Sequence, residues 1–432
     1  MESELHKNSQ QINSDSFDYS MPPTDIGVIS SDLVPNLPQA GWKENADHPI
    51  TFHILPTPGY FTRLDLSLLY KRIKVKTEDK ADLDSTNEIA PCASFFGSYF
   101  ENVTFLFNNT PLTRNQGNLY PYQHYFENLL GFSKPAQDSY LTSELFYPDS
   151  TDKFDSLNAN YQKRKKKIES SKSLEVCGVL KSALQSQHRA IPDNVTITII
   201  LRRSKPEFCL TGAKGTNYMI ELEDIVFYTK RLQLHPKLLK NVHALLHSKK
   251  RLNYLIRDRT VDSFQMPTGT INHPQLIFNG ATPNMLVLGF VKAEAMLGAY
   301  DKSPFAFEKH GVSSVSLSIE GDSTKIWRTY NFEGGLNLMP FQYLQSVIPH
   351  ASILGHGLDR DDFVDKQCFL ICIDLKSQAT QQFQIKGNTQ TKLVIRFAAA
   401  TTYPINCVVF SEFPALVQLG SDGSFYSDAL VI

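Results

Sequence analysis

The sequence predicts an all-β protein built as two similar antiparallel domains. Three observations carry that expectation: a length beyond one core, short alternating apolar stretches, and a shortage of helical periodicity. The chain has 432 residues, and single cores stop growing beyond roughly 250–300 residues, so two units of about 200 residues are expected. Hydrophobic residues make up 41% and aromatic ones 11%, with 28 Phe and 18 Tyr, a supply suited to packing between sheet faces.

The alternation is clearest in Val195-Thr196-Ile197-Thr198-Ile199, where a period of two puts Val and Ile on one face and Thr on the other. Residues 315–319 repeat the pattern with Ser. Residues 369–375, 392–397 and 405–410 are more uniformly apolar and read as strands buried between two layers. Clusters of Gly, Pro, Asn and Asp separate these stretches, as in sandwiches and barrels.

Three helices stand out against this background. Tyr122, Tyr125, Phe126, Leu129 and Leu130 form a helical stripe, and Gly131 is expected just past its end. Phe341, Leu344, Val347 and Ile348 sketch a similar helix after Pro340, so each half carries one helix among strands, a weak internal repeat. Pro236 opens a third, with Leu238, Leu239, Val242, Leu245 and Leu246 on one face and Lys249-Lys250-Arg251 at its end. That helix is expected to mark the domain junction. The expected division is a disordered polar arm at 1–20, a first domain at 21–232, and a second at 233–432 that opens with the linker helix.

Lys and Arg number 43 against 44 Asp and Glu, so no global positive field exists to hold a nucleic acid and any such contact must be local. There is no apolar run of the roughly 20 residues a membrane helix needs, and the polar start lacks the layout of a signal peptide. A soluble, intracellular chain is expected. Its cysteines at 92, 177, 209, 368, 372 and 407 lack disulfide-scaffold spacing and read as reduced core residues, and the sequons at Asn102, Asn108 and Asn194 read as chance matches.

Chemistry-bearing motifs are few, and each has a plain alternative. His243 and His247 have the i, i+4 spacing of metal ligands, but no Glu follows the first His, so solvent-facing helix histidines are favoured. Cys368 and Cys372 in one strand would stand roughly 13 Å apart, too far to share an ion or a disulfide. Residues 212–216, Gly-Ala-Lys-Gly-Thr, fail the phosphate-loop spacing and read as a hairpin turn. Lys163-Arg164-Lys165-Lys166-Lys167 is the one dense charge run, expected to be exposed and extended; it reads as a solvated loop, a nuclear import signal or a contact with packaged nucleic acid. No catalytic triad, carboxylate pair or cofactor motif emerges, so no enzyme activity and no cofactor are expected.

Several segments, taken in order, resemble the major capsid protein of Polinton (Maverick) elements, large eukaryotic DNA transposons with virus-like genes. They begin with Pro22-Pro23-Thr24-Asp25, Ile50-Thr51-Phe52, Leu64-Asp65-Leu66-Ser67 and the strand at 70–75. Next come Asn102-Val103, Phe107-Asn108-Asn109, Tyr120-Pro121-Tyr122 with Tyr125, Glu127, Leu129 and Leu130, and Leu201-Arg202-Arg203-Ser204 with Phe208. Asn279-Gly280, Pro283, Gly289-Phe290-Val291, Pro304-Phe305 with Phe307, and Ser411-Glu412-Phe413 continue the series. The chain departs from the family at Ala183-Leu184-Gln185, where relatives carry an Asp-Leu-Phe triplet.

The resemblance implies a double jelly-roll: two tandem jelly-roll barrels, with a few short helices in the connections. It further implies a homotrimer of hexagonal outline that tiles an icosahedral shell around double-stranded DNA, in a virion assembled inside the host cell or its nucleus. The implied partners are other copies of the chain, a minor capsid protein and packaged DNA through local contacts. Competing readings are a minor capsid or vertex protein, which a single barrel would suit better, and a jelly-roll carbohydrate-binding module. A cupin would need clustered His and Glu ligands that the sequence does not show.

Overall fold

A computed structural model describes residues 27–43, 47–84, 86–112, 118–149, 151, 153–248, 250–280, 282–321, 325–335, 338–347, 358, 360–364, 367–375 and 389–427. The arm expected at 1–20 lies outside them. The first half contains β1 (Val28–Asn36), β2 (Ile50–Ile54), β3 (Tyr60–Thr77), β4 (Ile89–Pro91), β5 (Phe100–Phe107), β6 (Thr110–Pro111), β7 (Leu174–Gly178), β8 (Ile197–Arg203), β9 (Leu210–Gly212) and β10 (Tyr218–Leu234). The second contains β11 (Leu252–Met266), β12 (Asn272–Asn279), β13 (Met285–Lys292), β14 (Val312–Gly321), β15 (Lys325–Asn331), β16 (Leu370–Asp374), β17 (Thr389–Phe397), β18 (Ile405–Leu419) and β19 (Phe425–Ser427).

The strands of the first half form two four-stranded sheets, β1-β10-β3-β7 and β2-β8-β5-β6, with β4 and β9 as a separate short pair. Those of the second form β11-β18-β13-β16 and β12-β17-β14-β15, with β19 added to β18. Without the short extra strands, each half has eight strands in the same order. The first, eighth, third and sixth make one sheet, and the second, seventh, fourth and fifth make the other. That order, twice over, is the double jelly-roll. The helices Tyr120–Gly131 and Leu338–Val347 both lie between the fifth and sixth strands of their halves, so the weak repeat in the sequence is a repeat of structure.

Local patterns explain most strands. Val315, Leu317 and Ile319 of β14 are fully buried, as their alternation with Ser predicts. Ile197, Ile199 and Leu201 of β8 point into the first core; Thr198 is buried as well, and its hydroxyl meets His53 Nδ1 at 3.0 Å. Leu370 to Ile373 of β16 are buried without alternation, as expected between layers. Strand β17 differs from expectation: it alternates, exposing Gln390 and Arg396, because its sheet is covered on one face only.

Two turn readings are corrected. Gly131 is the last helical residue instead of a left-handed cap, and Phe132 leaves the helix in an extended conformation with φ −120°. Residues 212–216 do form a turn, with Gly215 at φ +110°, but not a hairpin. The strands it joins belong to different sheets, since β9 pairs with β4 and β10 with β3 and β1.

Two hydrophobic cores result, and the chain crosses between them. The helix Tyr120–Gly131 comes from the first half, yet Tyr122, Tyr125, Phe126, Leu129 and Leu130 pack into the second core. The Tyr125 ring stacks on Phe305 at 4.5 Å, and Phe126 lies 5.1 Å from Phe307 and 5.5 Å from Phe410. In the other direction, β11 and β18 pair over fifteen residues without a bulge. Tyr254, Ile256, Ala415, Val417 and Leu419 on this ribbon belong to the first core, and Val261, Met266 and Val408 to the second.

Because Phe126 is fully buried at this crossing, Phe126→Ala should cost about 3–5 kcal/mol. Urea unfolding followed by tyrosine fluorescence should move to a lower midpoint and split into two transitions. A single transition at the unaltered midpoint would mean that the helix does not couple the halves.

Candidate functional site: basic helix, buried charges and seam

The basic run is helical. Asn158 accepts a hydrogen bond from the Tyr161 N–H at 3.0 Å and caps the helix Ala159–Ile168. Tyr161, Arg164 and Ile168 share its inward face, at i, i+3 and i+7. Arg164 is fully buried: Nε donates to the Pro91 carbonyl at 2.7 Å, Nη1 to the Tyr147 carbonyl, and Nη2 to both Asp149 oxygens at 2.7 and 2.9 Å. Lys165 is half-buried and pairs with Glu88 at 2.6 Å, while Lys163, Lys166 and Lys167 are exposed.

The expectation of an exposed, extended run is therefore corrected. A buried carboxylate neutralises one charge, and the helix spreads the others around its surface. The apolar residues flanking Arg164 at helical spacing were the signal for this in the sequence.

The other motifs are not brought together into sites. His243 Nε2 lies 3.0 Å from Asp193 Oδ1, whose second oxygen accepts the Gly59 N–H at 2.7 Å, and His247 is exposed. Among the described residues no group of three or more His, Cys, Asp or Glu could hold a metal ion. None of the six cysteines is in a disulfide, and Cys368 and Cys372 are buried.

Sequence reasoning missed the buried charges. Lys71 lies on β3 between Leu69 and Ile73, with the parity of a core residue, and is fully buried. Its ammonium donates to the Phe96 carbonyl at 2.9 Å and faces the rings of Tyr99, Phe100, Phe96 and Phe95 at 4.2, 4.5, 4.9 and 5.2 Å. Burial pushes its pKa well below the usual lysine value. A lysine breaking the apolar parity of a long strand was the legible sign.

Beside this box, His124 Nε2 lies 3.3 Å from Glu144 Oε2, which also accepts from Asn128 Nδ2 at 2.7 Å. Gly97 and Gly178 leave room for the pair: a Cβ at Gly97 would stand 2.3 Å from the His124 ring, and one at Gly178 2.5 Å from the Glu144 side chain. Ser94 Oγ, 3.4 Å from His124 Nδ1, completes a serine–imidazole–carboxylate order of contacts. At 1%, 0% and 1% exposure, the three side chains are closed to substrate, so the cluster is structural.

At the seam between the halves, Arg259 of β11 reaches Glu127 of the helix Tyr120–Gly131 at 2.8 Å and Glu412 of β18 at 3.2 Å. Burial opposes its charge, but the two carboxylates prevail and raise its pKa above the ordinary value. A cleft of about 370 Å³ opens on this seam, with Tyr122 and Phe208 from the first half meeting Met296 and Asn406 from the second.

No family model matches the chain. A curated Caenorhabditis elegans protein, described as uncharacterised, is 22% identical over 340 residues, covering 76% of this chain and 80% of its own. The cryo-EM structure of the Sputnik virophage matches 98% of this chain and 93% of its own, with TM-score 0.63 and 10% identity. The mavirus major capsid protein matches 96% and 93% respectively, at TM-score 0.58 and 11% identity. PBCV-1 VP54, fitted into a reconstruction of Sputnik, matches 95% and 99%, at TM-score 0.57 and 9% identity. The fold is that of viral capsid proteins. At these identities the double jelly-roll is shared end to end while most of the sequence is not.

On the acid side, two buried imidazoles and a buried carboxylate make stability pH-dependent. Burial lowers the pKa of His124, and burial followed by Lys292 lowers that of His310 to about 4, against about 6.5 in an unfolded chain. Below pH 6.5 the unfolded state binds protons that the folded state refuses, so stability falls as pH drops towards the folded values. Burial alone would raise the Glu144 pKa, but His124 and Asn128 hold it below the usual value; that contribution is lost as pH falls through it. Urea midpoints should therefore decline from pH 7 to pH 4, and His310→Gln should remove about 3 kcal/mol of the difference. A flat profile would show these groups to be equally protonated in both states.

Proposed function

We propose that this chain is a major capsid protein of the Polinton (Maverick) kind, a structural subunit and not a catalyst. The observation that carries the reading is the eight-strand order repeated in one chain, with whole-length fold matches to virophage, mavirus and PBCV-1 capsid structures. A relative in a nematode supports an element resident in animal genomes. In this reading residues 21–232 and 233–432 are the two barrels, joined through the helix Pro236–His247.

Three such chains place six barrels around a threefold axis. A ring of that kind closes, and its near-hexagonal outline tiles an icosahedral shell around double-stranded DNA, with a minor capsid protein as a further partner. Permanent contacts of this type bury at least about 2,000 Å². Size exclusion with light scattering should give the mass of three 48.8 kDa chains; a monomer at every concentration would sink the reading.

The basic helix supports a second part of the proposal. Lys163, Lys166 and Lys167 are exposed, while Arg164 and Lys165 are held by Asp149 and Glu88, so three lysines are available for nuclear import or local contact with packaged DNA. Replacing Lys163, Lys166 and Lys167 with Ser while keeping Arg164 tests import without breaking the buried pair. A fluorescent fusion of the variant should lose nuclear accumulation, and unchanged accumulation would return the lysines to ordinary surface charge.

A further inference from the structure

The internal repeat sets a covered strand in one half against a bare one in the other. In each half the opening strand runs along the last eight residues of the eighth strand: Leu252 to Arg259 of β11 pair with Leu419 to Glu412 of β18, and Val28 to Asn36 of β1 with Leu234 to Phe227 of β10. The two ribbons are counterparts. In the second half the first half encloses this ribbon: Tyr254, Ile256, Ala415, Val417 and Leu419 lie in the first core. The Tyr254 hydroxyl donates to the Ala190 carbonyl at 3.2 Å, and the Arg189 guanidinium donates to the Asn253 carbonyl.

Among the described residues nothing encloses β1 in the same way. It is the end strand of its sheet, and none of its nine residues is buried. Val28, Ile29, Leu33 and Val34 are 36%, 56%, 45% and 41% exposed, and Leu37 just beyond is 73% exposed. Leu33 and Val34 are adjacent in the strand and point to opposite faces, so apolar surface is bare on both sides of the edge. Edges that face water are guarded by charges, above all lysines, or by proline. From Gly27 to Leu37 there is no Lys or Arg, and Asp32 and Pro35 are the only such guards.

We propose that β1 is a subunit contact, enclosed by the second half of a neighbouring copy as β11 is enclosed by the first half of its own chain. The inference rests on the ring reading above and names the surface that closes the ring. The repeat carries the choice of occupant, because two barrels of one topology present the same ribbon to whatever lies beside them. In a closed ring of alternating halves each first half is preceded by a second half, and only another chain can supply it. Nucleic acid would find a carboxylate and no cation on this strand. A neighbouring half offers what the seam within the chain offers, apolar cover and hydrogen bonds to the opening strand.

Leu33→Lys together with Val34→Lys in the full chain tests it, since enclosing the strand would then bury two unpaired charges. In size exclusion with light scattering the unaltered chain should have the mass of three chains, and the variant should fall apart at a concentration at least roughly a hundredfold higher. Circular dichroism melting of the variant checks that substitutions at these exposed positions leave the fold intact. A photoreactive p-benzoylphenylalanine in place of Leu33 gives a second measurement. Irradiation should yield a chain-to-chain adduct on a denaturing gel, with the link mapped by mass spectrometry to the second half of the neighbour. A trimer that survives both lysines, or a link that falls in the neighbour's first half, overturns the contact and leaves the ring reading standing. An unaltered chain that is monomeric at every concentration removes the ring reading and this contact with it.

Discussion

The ribbon of β11 and β18 threads both hydrophobic cores, and the rest of the molecule is arranged around that constraint. Fifteen residue pairs run without a bulge from Leu252 and Leu419 in the first core to Met266 and Ile405 in the second. At about 3.4 Å per residue the ribbon is roughly 50 Å long. The helix Tyr120–Gly131 supplies the return, since it springs from the first half and buries Tyr125 and Phe126 in the second. Arg259 joins the two devices by bonding Glu127 on the helix and Glu412 on the ribbon. These contacts hold the two halves together through both chain directions.

Buried charge repeats this logic within the first barrel. The Arg164–Asp149 pair anchors the connection around residues 147–164, and Lys71 anchors the segment 95–100 against β3. The His124–Glu144–Asn128 cluster ties the helix Tyr120–Gly131 to the turn carrying Glu144. Each fastens a connecting segment to its neighbours through directional bonds. Removing one partner from such a pair is costlier than the pair is worth, because a charge is then stranded in a low dielectric. These pairs fix geometry more than they add net stability.

Much of this was legible in the sequence. Period-two stretches such as 195–199 and 315–319 identify strands because one face of each must be buried, and the Tyr122 to Leu130 stripe identifies a helix for the same reason. The one-helix-per-half repeat anticipates two copies of one topology. The basic run was misread because charge density was weighed without the inward spacing of Tyr161, Arg164 and Ile168, and without Asp149, which lies far enough away in sequence to escape a local reading. Residues 212–216 were misread as a hairpin because a turn residue reports a change of direction and not the sheet that receives the chain.

The sequence by itself determined that this is a β protein with two cores, since apolar period, chain length and turn residues are local or additive properties. Only the tertiary structure decided which strands neighbour one another, that β11 and β18 serve both cores, and that Lys71, Glu144 and Arg164 lie in the interior. It also left Leu238 and Leu245 in the open on a helix whose apolar residues would otherwise read as core. The physical reason is that burial is set by what packs against a residue, and those neighbours come from other segments, 25 residues away for Lys71 and Phe96 and 73 for Arg164 and Pro91.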